Sequence, residues 1–129
     1  MCKYSPTRYT ILEKSESLGG TWRHNTYPGC ACDVPSHLYS FSFFQNPAWT
    51  RAYSRQPEIL KYLEDAAAKF GILPNVKFGK IVEKSVWDKK TNKWHVETSD
   101  GEEFIGNVVV GACNGGVLNV GRGVYGWCE

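Results

Sequence analysis

The sequence contains no apolar run longer than three residues, and its opening, MCKYSPTRYT, has no hydrophobic leader. A membrane-spanning helix needs about 20 consecutive apolar residues, and a secretory signal needs an apolar segment of about 7–15. We therefore expect a protein that neither crosses a membrane nor is exported, and that works in the cytoplasm.

The chain also lacks a charge excess of either sign, because 15 basic and 13 acidic residues leave a net charge of +2. A basic stripe for nucleic acid and an acidic tail for a cationic partner are both missing, so neither class of partner is expected. Five cysteines, an odd number in a chain without an export signal, predict reduced thiols rather than a disulfide framework.

One amphipathic helix is predicted over SRQPEILKYLEDAAAKFG, residues 54–71. Pro57 suits the first helical turn, Ser54 or Gln56 could cap it, and Gly71 provides a stop signal. The apolar positions recur at helical spacing and predict a buried face formed by Ile59, Leu60, Leu63, Ala66, Ala67 and Phe70.

Short β-rich segments lie on both sides of this helix. Residues 8–13 predict a first strand that ends on Glu13, and residues 107–116, NVVVGACNGG, predict a buried parallel strand that opens into a tight loop. Between them, the turn signals DKKTNK and Asp100-Gly101 divide residues 76–105 into an antiparallel meander, in which Trp87 and Trp94 pack across strands. The mixture predicts an α/β fold.

Residues 15–55 form a long segment without periodicity, and they are rich in aromatic side chains. Such loops are usually functional or disordered, and disordered segments are poor in aromatics, so function is favoured. One candidate function is zinc binding by His24, Cys30, Cys32 and His37. The Cys-x-Cys spacing is not the usual ligand pair, and two buried thiols with two surface histidines remain the alternative.

The other candidate function is nucleotide binding. A dinucleotide fold places an acid that bonds a ribose hydroxyl at the end of a strand, which is the position of Glu13. Gly19 and Gly20 would let the backbone approach a phosphate or a ring closely, because glycine has no Cβ. A solvated acid and a plain turn are the alternative interpretations.

The ordered motifs GGTW, N-x-YPG-x-x-CD and QPEIL, followed by VWDKKTNKWHVETSDGE and VVVGACNGG, resemble the flavin-dependent Baeyer–Villiger monooxygenases. These enzymes belong to the class B flavin monooxygenases. The resemblance runs from about residue 9 to residue 119, which is most of the chain. It implies a Rossmann-like FAD-binding domain of the ββα type that carries the antiparallel meander.

The resemblance also implies roles for individual residues. Asp33 corresponds to an aspartate near the flavin face that contacts the nicotinamide and helps to position a catalytic arginine. Ala31 and Cys32 line the NADP site, although the family often has arginine in place of Ala31. The expected FAD contacts are Glu13 at the adenosine ribose, the loop Gly20, Thr21, Trp22, Arg23 and His24 at the flavin, Tyr39 at the flavin, and Val82 at the adenine.

In that family NADPH reduces the flavin, and one oxygen atom of O₂ is then inserted into a ketone or a similar small organic substrate. The resemblance thus implies FAD and NADPH as cofactors and a small molecule and O₂ as reactants, without a nucleic-acid or membrane partner. An alternative is a non-catalytic remnant that acts as an interaction partner of a full-length relative.

Two departures from the family pattern shape the expected domain. The family's G-x-G-x-x-G fingerprint lies about 20 residues before the ribose-binding acid, whereas only 12 residues precede Glu13 and none of them is glycine. Residues 120–129, VGRGVYGWCE, match nothing in the pattern. We therefore expect residues 1–129 to form one incomplete FAD/NAD(P)-binding domain, inactive by itself, with exposed apolar surface and low stability.

Overall fold

The computed structural model describes residues 8–112, which divide into two compact units. One unit contains residues 8–11 and 15–76, and the other contains residues 12–14 and 77–112. The helices and strands are, in chain order, β1 (Ile11–Leu12), α1 (Thr21–His24), α2 (Gln56–Lys69), β2 (Val76–Lys77), β3 (Val82–Asp88), β4 (Lys93–Thr98) and β5 (Glu103–Gly106). Among residues 8–112, no helix is both long and apolar enough to cross a membrane.

Helix α2 organises the first unit, and its presence confirms the predicted helix. Pro57 lies in its first turn, and Gly71, with φ of 62°, follows its C-terminal end, as the sequence signals indicated. Arg55 takes the N-cap position with extended backbone, so the expectation of Ser54 or Gln56 as the cap was wrong. Ile59, the fourth residue of the helix, is completely buried.

The buried face of α2 differs from the predicted one: Gln56 is buried, and Leu60 and Leu63 are only half-buried. Phe70 is 45% exposed, whereas Tyr62, which apolar spacing did not select, is only 5% exposed. The Tyr62 hydroxyl accepts the N–H of Phe41 at 2.7 Å and donates to the carbonyl of Phe44 at 2.6 Å. Both polar partners belong to residues 15–55, the aromatic loop, so a tyrosine can be buried here without leaving its hydroxyl unpaired.

The aromatic loop packs on α2 through the same tyrosine. The rings of Phe44 and Trp49 lie 5.4 and 5.3 Å from the Tyr62 ring, and the Phe41 ring lies 6.0 Å away. Apart from α1 and a short 3₁₀ turn, Ser36–Tyr39, residues 15–55 have no helix or strand. Side-chain packing on α2 therefore contributes to the order of this segment.

The second unit contains the predicted meander, an antiparallel sheet in the order β3-β4-β5. Trp87 and Trp94 are register partners whose ring centroids are 5.6 Å apart, which confirms the predicted cross-strand pair. The first strand of the meander, β3, begins at Val82 rather than near residue 76. Residues 76–77 instead form β2, which pairs with β1. The first predicted strand is likewise reduced to Ile11–Leu12.

The predicted parallel strand after the meander was wrong over its described part. No strand follows Gly106 up to residue 112, and Val108 and Val110 are 76% and 82% exposed. A parallel strand requires neighbours that pair with its backbone, and within residues 8–112 none lies beside this apolar run. Residues 113–116 of that prediction, and the tail at 120–129, lie outside the described range.

A small cluster of ion pairs joins Lys77 and Lys80 to the turn between β4 and β5. The Lys80 ammonium pairs with Asp100 and Glu102, and the Lys77 ammonium lies 2.8 Å from a Glu102 oxygen. The hydrogen bond from Lys80 lowers the pKa of Asp100, and hydrogen bonds from Lys77 and Lys80 lower the pKa of Glu102. In turn, the Asp100 and Glu102 carboxylates raise the pKa of Lys80.

These pKa directions predict that the second unit loses stability in acid. A carboxyl group with a lowered pKa in the folded state stabilises that state above its unfolded pKa of about 4, and this contribution is lost as the pH falls further. Urea unfolding of the meander, measured from about pH 6 down to about pH 2, should show a falling free energy of unfolding. Lys80→Met should flatten this dependence, whereas Lys84→Met, which removes a looser exposed pair with Glu97 at 3.6 Å, should not. Equal slopes in all three proteins would contradict this prediction.

Candidate functional site

The segment before α1 is a glycine turn with unusual backbone angles. Gly19 has φ of 123° and Gly20 has φ of 47°, both in the region that favours glycine. The N–H of Trp22 donates to the Gly19 carbonyl at 2.9 Å, and the N–H of His24 donates to the Gly20 carbonyl at 3.1 Å. The two glycines therefore set the direction in which α1 begins.

The two glycines are required for different physical reasons. A Cβ at Gly19 would lie 2.4 Å from Cδ1 of Leu60 on α2, so the Leu60 side chain would have to move to admit a side chain there. A Cβ at Gly20 would meet no atom within 4 Å. The sequence alone treats the pair as one feature, whereas the structure leaves only the Gly20 side open to a ligand.

The polar side chains of α1 are bonded to the protein itself. Arg23 donates from Nε to the Leu18 carbonyl at 3.0 Å, and its Nη2 pairs with Glu64 on α2. His24 Nε2 lies 3.0 Å from the hydroxyl of Ser15. Arg23 therefore fixes α1 against α2, and any contact with a ligand would add to that role.

Trp22 and Tyr39, 17 positions apart in the loop, form an aromatic pair. Their ring centroids are 5.3 Å apart at an interplanar angle of 84°, an edge-to-face arrangement, and both residues are half-buried. The Trp22 carbonyl accepts a hydrogen bond from the side-chain amide of Gln56, the first residue of α2. Sequence reasoning considered Gln56 only as a helix cap, and it missed this contact because the partner lies 34 positions earlier.

Asp33 lies in the same region as this aromatic pair. Burial raises the pKa of the Tyr39 phenol, and the nearby Asp33 carboxylate raises it further, followed by Cys32. Asp33 itself is exposed. The Asp33 carboxylate can therefore attract a cationic group toward these rings, through an interaction that solvent weakens because Asp33 is exposed.

Ala31 and Cys32 belong to an extended stretch that pairs with the start of α2. Ala31 and Arg55 form an antiparallel bridge, and the N–H of Cys32 donates to the Ser54 carbonyl at 3.0 Å. Cys30 and Cys32 are free thiols, 6% and 5% exposed, as predicted for these two positions. Their side chains contribute to the core of the first unit, and Ala31 is half-buried between them.

The zinc hypothesis gains no support from this arrangement. Within residues 8–112, no three His, Cys, Asp or Glu side chains are grouped so that they could hold a metal ion. The four candidate ligands were His24, Cys30, Cys32 and His37, and two of them are buried thiols while the two histidines are exposed.

Glu13 and Val82 lie in the second unit. The Glu13 N–H donates to the Lys77 carbonyl, and the Glu13 carbonyl accepts the N–H of Lys80, each at 3.0 Å. Val82 is the first residue of β3 and stands opposite Thr98. Both predicted cofactor residues are half-buried, and Glu13 follows directly after β1 as a strand-end acid should.

Residues 2–56 match a family model described as an NAD(P)-binding Rossmann-like domain. The chain is 50% identical over 106 residues to a Baeyer-Villiger monooxygenase of Streptomyces coelicolor, covering 82% of this chain and 20% of that protein. It is 45% identical over 92 residues to a FAD-binding monooxygenase of Botryotinia fuckeliana, covering 71% of this chain and 17% of that protein. The chain thus spans about a fifth of the length of the curated relatives it matches.

A comparison of structures also finds similarity to monooxygenases. The crystal structure of cyclohexanone monooxygenase from Rhodococcus sp. Phi1 bound to NADP⁺ superposes with a TM-score of 0.74 at 38% identity, covering 78% of this chain and 20% of that one. Sequence and structure therefore point to the same group of oxygenases.

Proposed function

We propose, from the premise that this chain belongs to the Baeyer–Villiger flavin monooxygenase family, that its first unit supplies part of the flavin and nicotinamide site of an FAD- and NADPH-dependent oxygenase. The observation that carries the proposal is the cluster of Trp22, Tyr39 and Asp33 in the unit that holds the open glycine Gly20. The matched relatives are enzymes, which gives no support to a purely non-catalytic partner role.

The residues fit a planar cofactor on two points. The space beyond Gly20 would accept a ring against bare backbone, since a Cβ there meets nothing within 4 Å. The edge-to-face contact between Trp22 and Tyr39 holds both rings in fixed orientations beside the loop, which reduces the ordering cost of binding a flat ligand.

Each residue then has a distinct task. Trp22 and Tyr39 exclude water from one side of the ring, and Asp33 holds a cationic group, the nicotinamide or an arginine, near it. Glu13, at the end of β1, would accept hydrogen bonds from the adenosine ribose, and the backbone at Val82 would contact the adenine. A bound FAD would supply the redox chemistry by which two electrons from NADPH and one O₂ yield an oxygenated ketone or similar small substrate and one water.

A flavin titration tests the cofactor part of this proposal. FAD fluorescence should be quenched saturably when the chain is added, because Trp22 and Tyr39 would lie beside the ring. Gly20→Ala should weaken binding by about tenfold, equivalent to about 1.4 kcal/mol, because a methyl group would enter the ligand space. Absence of saturable quenching in the unmodified chain would overturn the assignment.

Gly79→Ala is the matched control for Gly20→Ala. Gly79 also has a positive φ, 68°, and a Cβ there also meets nothing within 4 Å, so both substitutions add a methyl group at a positive φ without a steric clash. Gly79 lies in the second unit. Equal loss of FAD binding in the two variants would attribute the effect of Gly20→Ala to backbone strain and count against the proposed site.

A further inference from the structure

Ser36 is a buried polar residue of the same loop, and it has no role in the proposed cofactor site. It is 0% exposed and begins the 3₁₀ turn Ser36–Tyr39, three positions after Asp33 and three before Tyr39. Its N–H donates to the Ala52 carbonyl at 2.7 Å. The turn that carries Tyr39 is therefore attached at its first residue to a distant part of the chain.

The Ser36 hydroxyl forms the centre of this attachment. Its Oγ lies 2.8 Å from the Arg51 carbonyl and 2.9 Å from the Ala52 carbonyl, and it accepts the N–H of Ser54 at 2.8 Å. A hydroxyl has one proton and two lone pairs, so a single Oγ can serve a carbonyl and an N–H at once. One side chain thus contacts two part-buried carbonyls and accepts the buried N–H of Ser54.

The same hydroxyl also has two side-chain neighbours. The Ser54 hydroxyl lies 2.9 Å from it, and the Cys32 sulfur lies 3.9 Å from it. Cys32 directly precedes Asp33, so Ser36 contacts the residue before the aspartate. Ser36 itself lies between Asp33 and Tyr39 in the chain. Removing the hydroxyl would leave the buried Ser54 N–H without its acceptor, which favours a shift of the two segments relative to each other.

We propose that Ser36 is a positioning residue, which sets the placement of Asp33 and Tyr39 by tying residues 32–39 to residues 51–54. The inference rests on the proposed function for the part that concerns the cofactor. The local part, the placement of Tyr39 beside Asp33, concerns the chain without any ligand and is measurable separately.

The experiment compares Ser36→Ala with Ser54→Ala. Both serines are 0% exposed and both substitutions are identical, but Ser54→Ala retains the N–H that donates to the Ser36 hydroxyl. The measurement is the pKa of the Tyr39 phenol, followed by NMR in protein with ¹³C-labelled tyrosine and assigned with Tyr39→Phe. Circular dichroism of α2 verifies that each variant is folded.

Ser36→Ala should bring the pKa of Tyr39 down toward its ordinary value. Burial and the Asp33 carboxylate raise that pKa, and both effects should weaken when the phenol moves. Ser54→Ala should leave it close to that of the unmodified chain. If Ser36→Ala does not fold, Ser36→Cys, which keeps the shape and a weak donor, should give a smaller change in the same direction. An unchanged Tyr39 pKa in a folded Ser36 variant, or equal changes in both serine variants, would overturn the proposal.

The FAD titration separates the two claims. In Ser36→Ala, FAD binding should weaken by about tenfold relative to Ser54→Ala, equivalent to about 1.4 kcal/mol. If the unmodified chain binds no FAD but Ser36→Ala still changes Tyr39, the cofactor assignment fails and the positioning of Tyr39 stands. If FAD binding is equal in all three proteins, the positioning claim for the cofactor site fails.

Discussion

Replacing Ile59 by alanine is expected to lower the free energy of unfolding of the first unit by about 2–5 kcal/mol. Ile59 is 0% exposed on the inner face of α2, where it shares the core with Tyr62 and Ala66. The substitution removes buried methyl groups and leaves a cavity that the surrounding side chains fill only partly. Since small domains are stable by about 5–15 kcal/mol, a large part of the total would be lost.

Urea unfolding followed by circular dichroism of α2 measures this effect. Ile59→Val, which removes one methylene, should cost only about 0.5–1.5 kcal/mol. Ile105→Ala makes the same chemical change at a position that is 60% exposed, and it should change stability by less than about 0.5 kcal/mol. A loss below about 1 kcal/mol for Ile59→Ala would show that α2 is not the core of the first unit.

Replacing Trp94 by alanine should have a comparable effect on the second unit, about 3–5 kcal/mol. Trp94 is 7% exposed, lies on the central strand β4, and packs against Trp87 on β3. Its register partner on β5 is Gly106, which has no side chain, so the indole is the only side chain of this pair that can cover the position. Alanine would therefore remove a large and almost completely buried side chain from the meander.

Trp87→Ala is the control that separates burial from ring pairing. Trp87 belongs to the same pair but is only half-buried, so its removal should cost the ring contact, about 0.5–1.5 kcal/mol, with less lost burial. Hydrogen exchange of the β4 amides reports the opening of the meander directly. Equal losses for the two tryptophans would contradict the assignment of Trp94 as the core residue.

The elements that were predicted correctly are those whose signals are local. Helix α2 follows from apolar spacing, Pro57 and Gly71, and the meander follows from alternating segments separated by turn residues. The Trp87–Trp94 contact also followed from sequence, because a hairpin places nearby residues opposite one another. In each case the deciding neighbours lie within a few residues along the chain.

Contacts between distant residues decided the rest. Tyr62 rather than Phe70 is buried because the loop provides backbone partners for its hydroxyl, and Gly19 differs from Gly20 because only Gly19 faces Leu60. Ser36 joins carbonyls 15 and 16 positions away, which no local pattern records.

The sequence by itself determined the family resemblance, the α/β class, the helix and the meander, since these depend on the order and periodicity of side chains. Only the tertiary structure decided which buried polar groups have partners, which glycine faces open space, and that Val108 and Val110 have no strand beside them. Burial and hydrogen-bond satisfaction are properties of pairs of groups, and the pairs form only when the chain has folded.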